Sequence, residues 1–140
     1  MRRCVQKAKL AKGTNMLDGT RVLVVEPEYL IALEIQRILS DRGADALGAL
    51  TFADASAALV DRRFDLAIVA LDPQGHGLDF CRALLQAGVA VVLVSSAAEH
   101  GSGHPDLPGA MIVAKPFGDD DLLAAVTAAL TGTCGQARGH

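Results

Sequence analysis

The sequence has no tryptophan, one tyrosine and four phenylalanines, so large aromatic side chains contribute little to its interior. Its 51% of hydrophobic residues must therefore form a core of alanine, valine, leucine and isoleucine. No apolar run reaches about 18 residues, the length read as a membrane span. The N-terminus also lacks the apolar segment of a secretory signal. These absences predict a cytoplasmic protein without membrane contact.

Metal and disulfide signals are also scarce. The three cysteines, Cys4, Cys81 and Cys134, are too few and too scattered for a disulfide framework or a CxxC metal site. Histidines in the predicted loops have no ligand-like neighbours; they are His76, His100 and His104. The glycine-rich loop at 73–77 lacks the pattern of a P-loop or a dinucleotide fingerprint.

Charge is distributed unevenly along the 140 residues, whose net charge is −3. Five basic residues and no acidic ones precede Met16; from Met16 onward, 8 basic residues face 16 acidic ones, a net charge of −8. An acidic body argues against nucleic-acid binding. We expect residues 1–19 to form a basic, disordered N-terminal extension.

Five apolar runs are typical of buried strands, and the run from Asp65 to Asp72 is the central one. The others lie at 21–25, 44–50, 89–94 and 111–114. Helical spacing of apolar residues predicts helices after most of them, whereas the glycines and prolines of 97–109 disfavour a long helix. This alternation predicts one α/β domain with a parallel sheet between two layers of helices.

Polar side chains follow several of these strands. Glu26 follows the first, Asp72 the third, Ser95 ends the fourth, and Lys115 follows the fifth. Open parallel sheets bind ligands beyond the carboxyl ends of their strands, so these groups are expected to converge on one crevice.

The motifs in this order resemble the receiver domain of bacterial two-component response regulators. They are Val22-Leu23-Val24-Val25-Glu26, the Asp65 strand, Val92-Leu93-Val94-Ser95 and Lys115-Pro116-Phe117. The resemblance implies a flavodoxin-like, doubly wound, five-stranded parallel sheet of order 2-1-3-4-5 over residues 20–131. It leaves 132–140 as a C-terminal tail, and residues 97–109 predict a fourth helix that is shortened or lost.

The resemblance also implies a chemistry, from which this sequence departs. A receiver accepts a phosphoryl group from a histidine kinase on an aspartate that ends the third strand. Mg²⁺, bound by acids after the first strand, and a hydroxyl and a lysine assist it. Here the acceptor position is Ala70, five residues after Asp65, and Pro27 replaces the second acid. The aromatic switch position is Ile112, and the loop glycine Gly77 comes one residue early.

The remaining members define a predicted receiver pocket without catalytic residues, namely Glu26, Pro27, Asp72, Ser95, Lys115 and Pro116. We expect Lys115 to pair with Glu26, and the bond before Pro116 to be cis, as is common in receivers. No cofactor is expected. Mg²⁺ would bind only if the pocket retains activity, with Glu26 and Asp72 as ligands.

The sequence therefore predicts a stand-alone, non-enzymatic receiver that acts by protein contact without its own phosphorylation. The expected partners are a histidine kinase, another two-component signalling protein or a second copy, with the helix around Leu122–Leu130 as a candidate face. Two alternatives stay open. One is a receiver phosphorylated on Asp72, for which the competing interpretation is an aspartate that starts a turn. The other is a flavodoxin-like module that binds a small molecule.

Overall fold

The computed structural model describes residues 17–71, 77–95, 107 and 109–139, with side chains as far as residue 131. Its elements in chain order are β1 (Arg21–Val25), α1 (Tyr29–Ser40), β2 (Asp45–Ala49), α2 (Phe52–Asp61), β3 (Leu66–Ala70), α3 (Leu78–Gln86), β4 (Ala90–Ser95), β5 (Met111–Ala114) and α4 (Asp119–Gly139).

The five strands form one parallel sheet of order β2-β1-β3-β4-β5, which confirms the predicted flavodoxin-like topology. Alternate residues of each strand point to opposite faces, and both faces are covered. One core cluster joins Val24 and Ile68 to Ile35 of α1 and Val126 of α4. The other joins Leu23 and Val69 to helices α2 and α3.

Local signals fix several helix ends. Thr51 is the N-cap of α2, and its hydroxyl accepts a hydrogen bond from the Asp54 N–H at 3.0 Å. Three aspartates occupy the first turn of α4, where the helix dipole favours negative charge. Asp121 also reaches back to accept a bond from the Gly118 N–H at 3.2 Å, which satisfies a donor at the helix start.

Some boundaries differ from the prediction. Proline suits the first turn of a helix, but Glu28 is the N-cap of α1, so Pro27 precedes the helix. Leu17, assigned to the extension, is buried, and its N–H donates to the Arg42 carbonyl at 2.9 Å, because an apolar side chain beside β1 gains by packing on the core. Helix α4 continues to Gly139, beyond residue 131, where the predicted domain ends. Helix propensity is a weak guide to where a helix ends. The division into extension, domain and tail stays a prediction.

Two predictions fall on residues outside the described ranges. The shortened or lost fourth helix concerns residues of which 96–106 and 108 are not described, and Asp72 lies in the undescribed segment 72–76. The described residues contain four helices.

Candidate functional site

The strand ends bring the predicted side chains to one edge of the sheet. Val25 is in register with Val69, so the residues that follow them, Glu26 and Ala70, lie side by side. Ser95 is in register with Ala114, and Lys115 comes next in the chain. The carboxyl edge of the sheet therefore brings together Glu26, Ala70, Ser95 and Lys115. These are the described residues to which the receiver-like motifs point.

Glu26 is buried although its side chain is a carboxylate, with 1% of its surface exposed. Its N–H donates to the Ala49 carbonyl at 3.1 Å, which extends the β1–β2 ladder past the strand. Its Oε2 accepts a hydrogen bond from the Glu28 N–H at 3.0 Å. Its Oε1 lies 3.2 Å from Nζ of Lys115 but has no aligned hydrogen-bond donor among the described residues.

Lys115 supplies the cation that this buried carboxylate requires. Its N–H donates to the Ser95 carbonyl at 3.0 Å, so β4 fixes the backbone from which the side chain extends. The predicted ion pair with Glu26 is present, and the Lys115–Pro116 bond is cis, as predicted. Removing one partner of a buried pair leaves an uncompensated charge, so each group holds the other in place.

Ala70 ends β3 beside this pair and is half-buried. It is in register with Val94, and the Leu71 N–H donates to the Val94 carbonyl at 3.0 Å, so the backbone stays in the sheet one residue further. A methyl group has no lone pair to offer a metal or a phosphoryl group. Ile112 is buried in the core cluster under α2 and α3.

The other predicted pocket members divide into two groups. Pro27 and Pro116 flank Glu26 and Lys115 in the chain and are exposed. Asp72, like the three predicted loop histidines, lies outside the described residues. Sequence reasoning missed Glu28, whose exposed carboxylate oxygen is 4.0 Å from Nζ of Lys115. Its position two residues after Glu26 was the available signal.

The described oxygen donors do not fit Mg²⁺. This ion favours near-octahedral coordination by oxygens. The described part of the edge offers one buried carboxylate, and a lysine ammonium already lies against it. Within the described ranges, no three histidine, cysteine or acidic side chains are grouped as metal ligands.

An exposed apolar surface on α1 lies next to the Glu26–Lys115 pair. Tyr29, Leu30 and Leu33 are exposed by 60%, 78% and 42% of their surfaces. A groove of about 510 Å³ beside them is lined by Leu30, Ile31, Glu34, Lys115, Pro116 and Phe117. The buried stripe of α1 is formed by Ala32, Ile35, Ile38 and Leu39. Leu30 and Leu33 are apolar but lie outside this stripe, and their positions were the signal in the sequence for an exposed apolar surface.

The helix predicted as a candidate contact face is α4, and its two sides differ. Leu122, Val126 and Ala129 are buried against the sheet, and their apolar spacing is typical of a core stripe. Ala124 and Thr127 are exposed, so a contact face on this helix stays a prediction. In the part of the chain that the structure describes, no helix combines the length and apolar character needed to cross a bilayer.

Comparisons with known proteins identify the fold. No family model matches the sequence, and no curated protein matches it either. A CheY-like response regulator receiver domain from Methanospirillum hungatei is similar, with TM-score 0.67, 20% identity and coverage of 84% of this chain and 98% of that one.

Two further solved structures extend the comparison. The chemotaxis response regulator CheY4 of Vibrio cholerae aligns with TM-score 0.67 and 21% identity, over 79% of this chain and 98% of that one. NtrX from Brucella abortus, solved with ADP, aligns with TM-score 0.70 and 27% identity over 84% of this chain, which spans 28% of that protein. This chain therefore has the fold of CheY-like receiver domains.

Proposed function

We propose that this chain is an atypical receiver in two-component phosphorelay signalling that acts by protein contact and does not accept a phosphoryl group. Its partner would be a histidine kinase, another two-component protein or a second copy. The receiver fold supports the class of function. The Glu26–Lys115 ion pair beside Ala70 is the observation that carries the phosphorylation-independent mode.

The argument follows from what phosphoryl transfer requires. The reaction needs a nucleophile, a divalent cation and positive charge placed on the phosphoryl oxygens. Ala70 supplies no nucleophile, and the charge of Lys115 is already compensated by Glu26 at 3.2 Å. A phosphoryl group would have to displace that carboxylate, which is almost fully buried.

The neighbouring apolar surface supports contact with a protein. Tyr29, Leu30 and Leu33 are all exposed in the first half of α1, and Leu30 lines the same groove as Lys115. Large exposed apolar groups that adjoin one another mark interaction sites more often than isolated ones do. Tyrosine in particular is enriched at such sites because its ring is apolar and its hydroxyl is polar.

Phosphorylation chemistry tests the proposal directly. The intact chain is incubated with acetyl phosphate and Mg²⁺, and its mass is measured. We expect no adduct. An adduct that Asp72→Asn abolishes would contradict the proposal and identify a receiver that uses the substitute acid.

Partner capture tests the surface. Leu30→Asp should reduce recovery of a two-component partner from extracts of the native cell by about tenfold, the effect of losing one central apolar contact. Val60→Asp is the matched control, because Val60 is exposed by 84% but lies on α2. Equal loss with both variants would assign the effect to charge or solubility and contradict the proposed face.

A further inference from the structure

A second cavity lies between α2 and α3, toward the amino edge of the sheet and away from the Glu26–Lys115 pair. Its volume is about 600 Å³. The floor is apolar and belongs to the core, with Phe64, Leu84 and Val89. The walls are Ser56 and Leu59 of α2 and Ala83 of α3.

Small side chains keep this cavity open. Ala83 and Ala87 are four residues apart, so they lie on the same face at the end of α3. Ser56 faces them from α2. Near their starts the two helices touch through Phe52 and Phe80, whose ring centroids are 5.2 Å apart. Phe80 also lines the cavity, so the aromatic pair borders the groove.

Two arginines also line the groove. Arg62 and Arg63 are exposed, and neither side chain forms an ion pair within the described ranges. Arg62 is the C-cap of α2, where the helix dipole favours a cation. Arg63 lies one residue beyond the C-cap, so the helix dipole stabilises its positive charge less. Asp65 also lines the groove, and its Oδ2 accepts a bond from the Arg21 N–H at 2.9 Å. The ionised groups around the groove thus sum to one positive charge.

We propose that this groove binds a small organic anion that combines a carboxylate with an apolar body. Its apolar part would fill the space over Phe64 and Leu84, and its carboxylate would meet Arg62 and Arg63. Guanidinium groups bind carboxylates through paired hydrogen bonds, and sites for small molecules are typically apolar cavities of about 300–1,000 Å³ with a few polar groups. A volume of about 600 Å³ suits a compact ligand rather than a partner helix.

Matched ten-carbon probes test the proposal on the intact chain. Decanoate, decanol and decyltrimethylammonium share an apolar tail but differ in charge. Each is titrated below its micelle concentration while backbone amide shifts are followed by NMR. We expect saturable binding of decanoate, with shifts on α2 and α3, about tenfold tighter than that of decanol and tighter still than that of the cation.

Variants locate the site and separate its two features. Ala83→Leu should abolish binding by filling the groove, whereas Ala124→Leu, on the exposed side of α4, should leave binding unchanged. The double change Arg62→Gln and Arg63→Gln should weaken decanoate about tenfold and leave decanol within about twofold. Arg42→Gln is the charge-matched control, because Arg42 is exposed and lies outside the groove.

Several outcomes would overturn the proposal. They are the absence of saturable binding, equal affinity for the cation, and decanoate shifts confined to the groove at Leu30 and Phe117. Binding that survives Ala83→Leu would also contradict it. Because the readout involves neither phosphorylation nor a protein partner, failure here is distinct from failure of the proposed function.

Discussion

At the residue scale, Glu26 matters most, because its carboxylate is buried. A carboxylate with 1% exposure is costly to bury, and its compensation comes from one lysine and one backbone N–H. The pair is asymmetric, because the Lys115 side chain remains 21% exposed. Loss of the lysine should therefore cost more than loss of the carboxylate.

A double-mutant cycle measures this asymmetry. Lys115→Met should lower the free energy of unfolding by about 2–3 kcal/mol, less than for a fully buried pair because water reaches the ammonium. Adding Glu26→Gln should recover most of that loss, since no buried charge then remains. Urea unfolding provides the measurement.

An exposed ion pair is the control for this cycle. Arg82 lies 2.9 Å from Asp79 in α3, and the aspartate side chain is fully exposed. Arg82→Met should change the free energy of unfolding by at most about 0.5 kcal/mol. Similar losses from Arg82→Met and Lys115→Met would show that burial of Glu26 does not matter.

Cys81 gives a second prediction at this scale. Burial in the core raises the pKa of its thiol to about 12, whereas an unfolded cysteine titrates near about 8.5. Above that lower value the unfolded chain loses a proton that the folded chain keeps, so the free energy of unfolding should fall as pH rises from about 9 toward 12. Cys81→Ala should remove that pH dependence, as followed by urea unfolding at several pH values.

Alkylation checks the same thiol independently. In a Cys4→Ser, Cys134→Ser background, iodoacetamide should label Cys81 only as fast as the chain unfolds, because the thiol is buried and protonated at neutral pH. Labelling in urea is the positive control. Rapid labelling of the folded chain would contradict the burial of this side chain.

At the scale of elements, the junctions between strands and helices determine where each helix begins at the carboxyl edge of the sheet. Gly77 is the N-cap of α3 with a φ of 99°, a left-handed conformation that favours glycine. A Cβ there would also collide with the ring of Phe52, which packs against this turn. The start of α3 is thus fixed both by its own backbone and by a residue of α2.

Two alanine substitutions separate these causes. Gly88 also has a positive φ, of 86°, but a Cβ there meets no atom within 4 Å. Gly88→Ala should cost about 1 kcal/mol of backbone strain. Gly77→Ala should cost ~1–3 kcal/mol more, through the overpacked ring.

The ring contact can be removed to check that excess. In a Phe52→Ala background, the cost of Gly77→Ala should approach that of Gly88→Ala, as measured by the midpoint of chemical unfolding. An unchanged cost would show that backbone conformation alone determines the choice of glycine at 77.

At the scale of the whole molecule, the sequence predicted more of the fold than of the surface. The apolar runs at β1, β3 and β4 are buried on both faces and can be recognised from the sequence alone, and Glu26 and Ser95 lie at the ends of β1 and β4. Lys115 follows β5 in the same way. The groove between α2 and α3 could not be predicted, because Ala83 and Arg63 meet only through tertiary packing. The burial of Leu17 also depends on long-range contacts, since its N–H donates to the Arg42 carbonyl.

Restoring the missing oxygen donors tests the whole arrangement. Ala70→Asp and Pro27→Asp together place two carboxylates beside Glu26, where the receiver resemblance expects a metal site. Without metal, repulsion among the three acids should make the variant less stable than the parent chain. Mg²⁺ should then stabilise it, by about 2.7 kcal/mol at a hundredfold excess over its dissociation constant, while the parent chain should not respond.

Thermal unfolding with and without Mg²⁺ measures this gain, and Asp substitutions at exposed Val60 and Ala124 provide a charge-matched control. Selective stabilisation of the Ala70→Asp, Pro27→Asp variant would mean that the scaffold holds the geometry of a receiver pocket and that the parent chain differs from a Mg²⁺-binding pocket at two side chains. No response to Mg²⁺ would mean that the backbone at this edge has also changed. In that case the edge that holds the Glu26–Lys115 pair would not have the geometry of a receiver pocket. The assignment of Ala70 to the acceptor position would then fail.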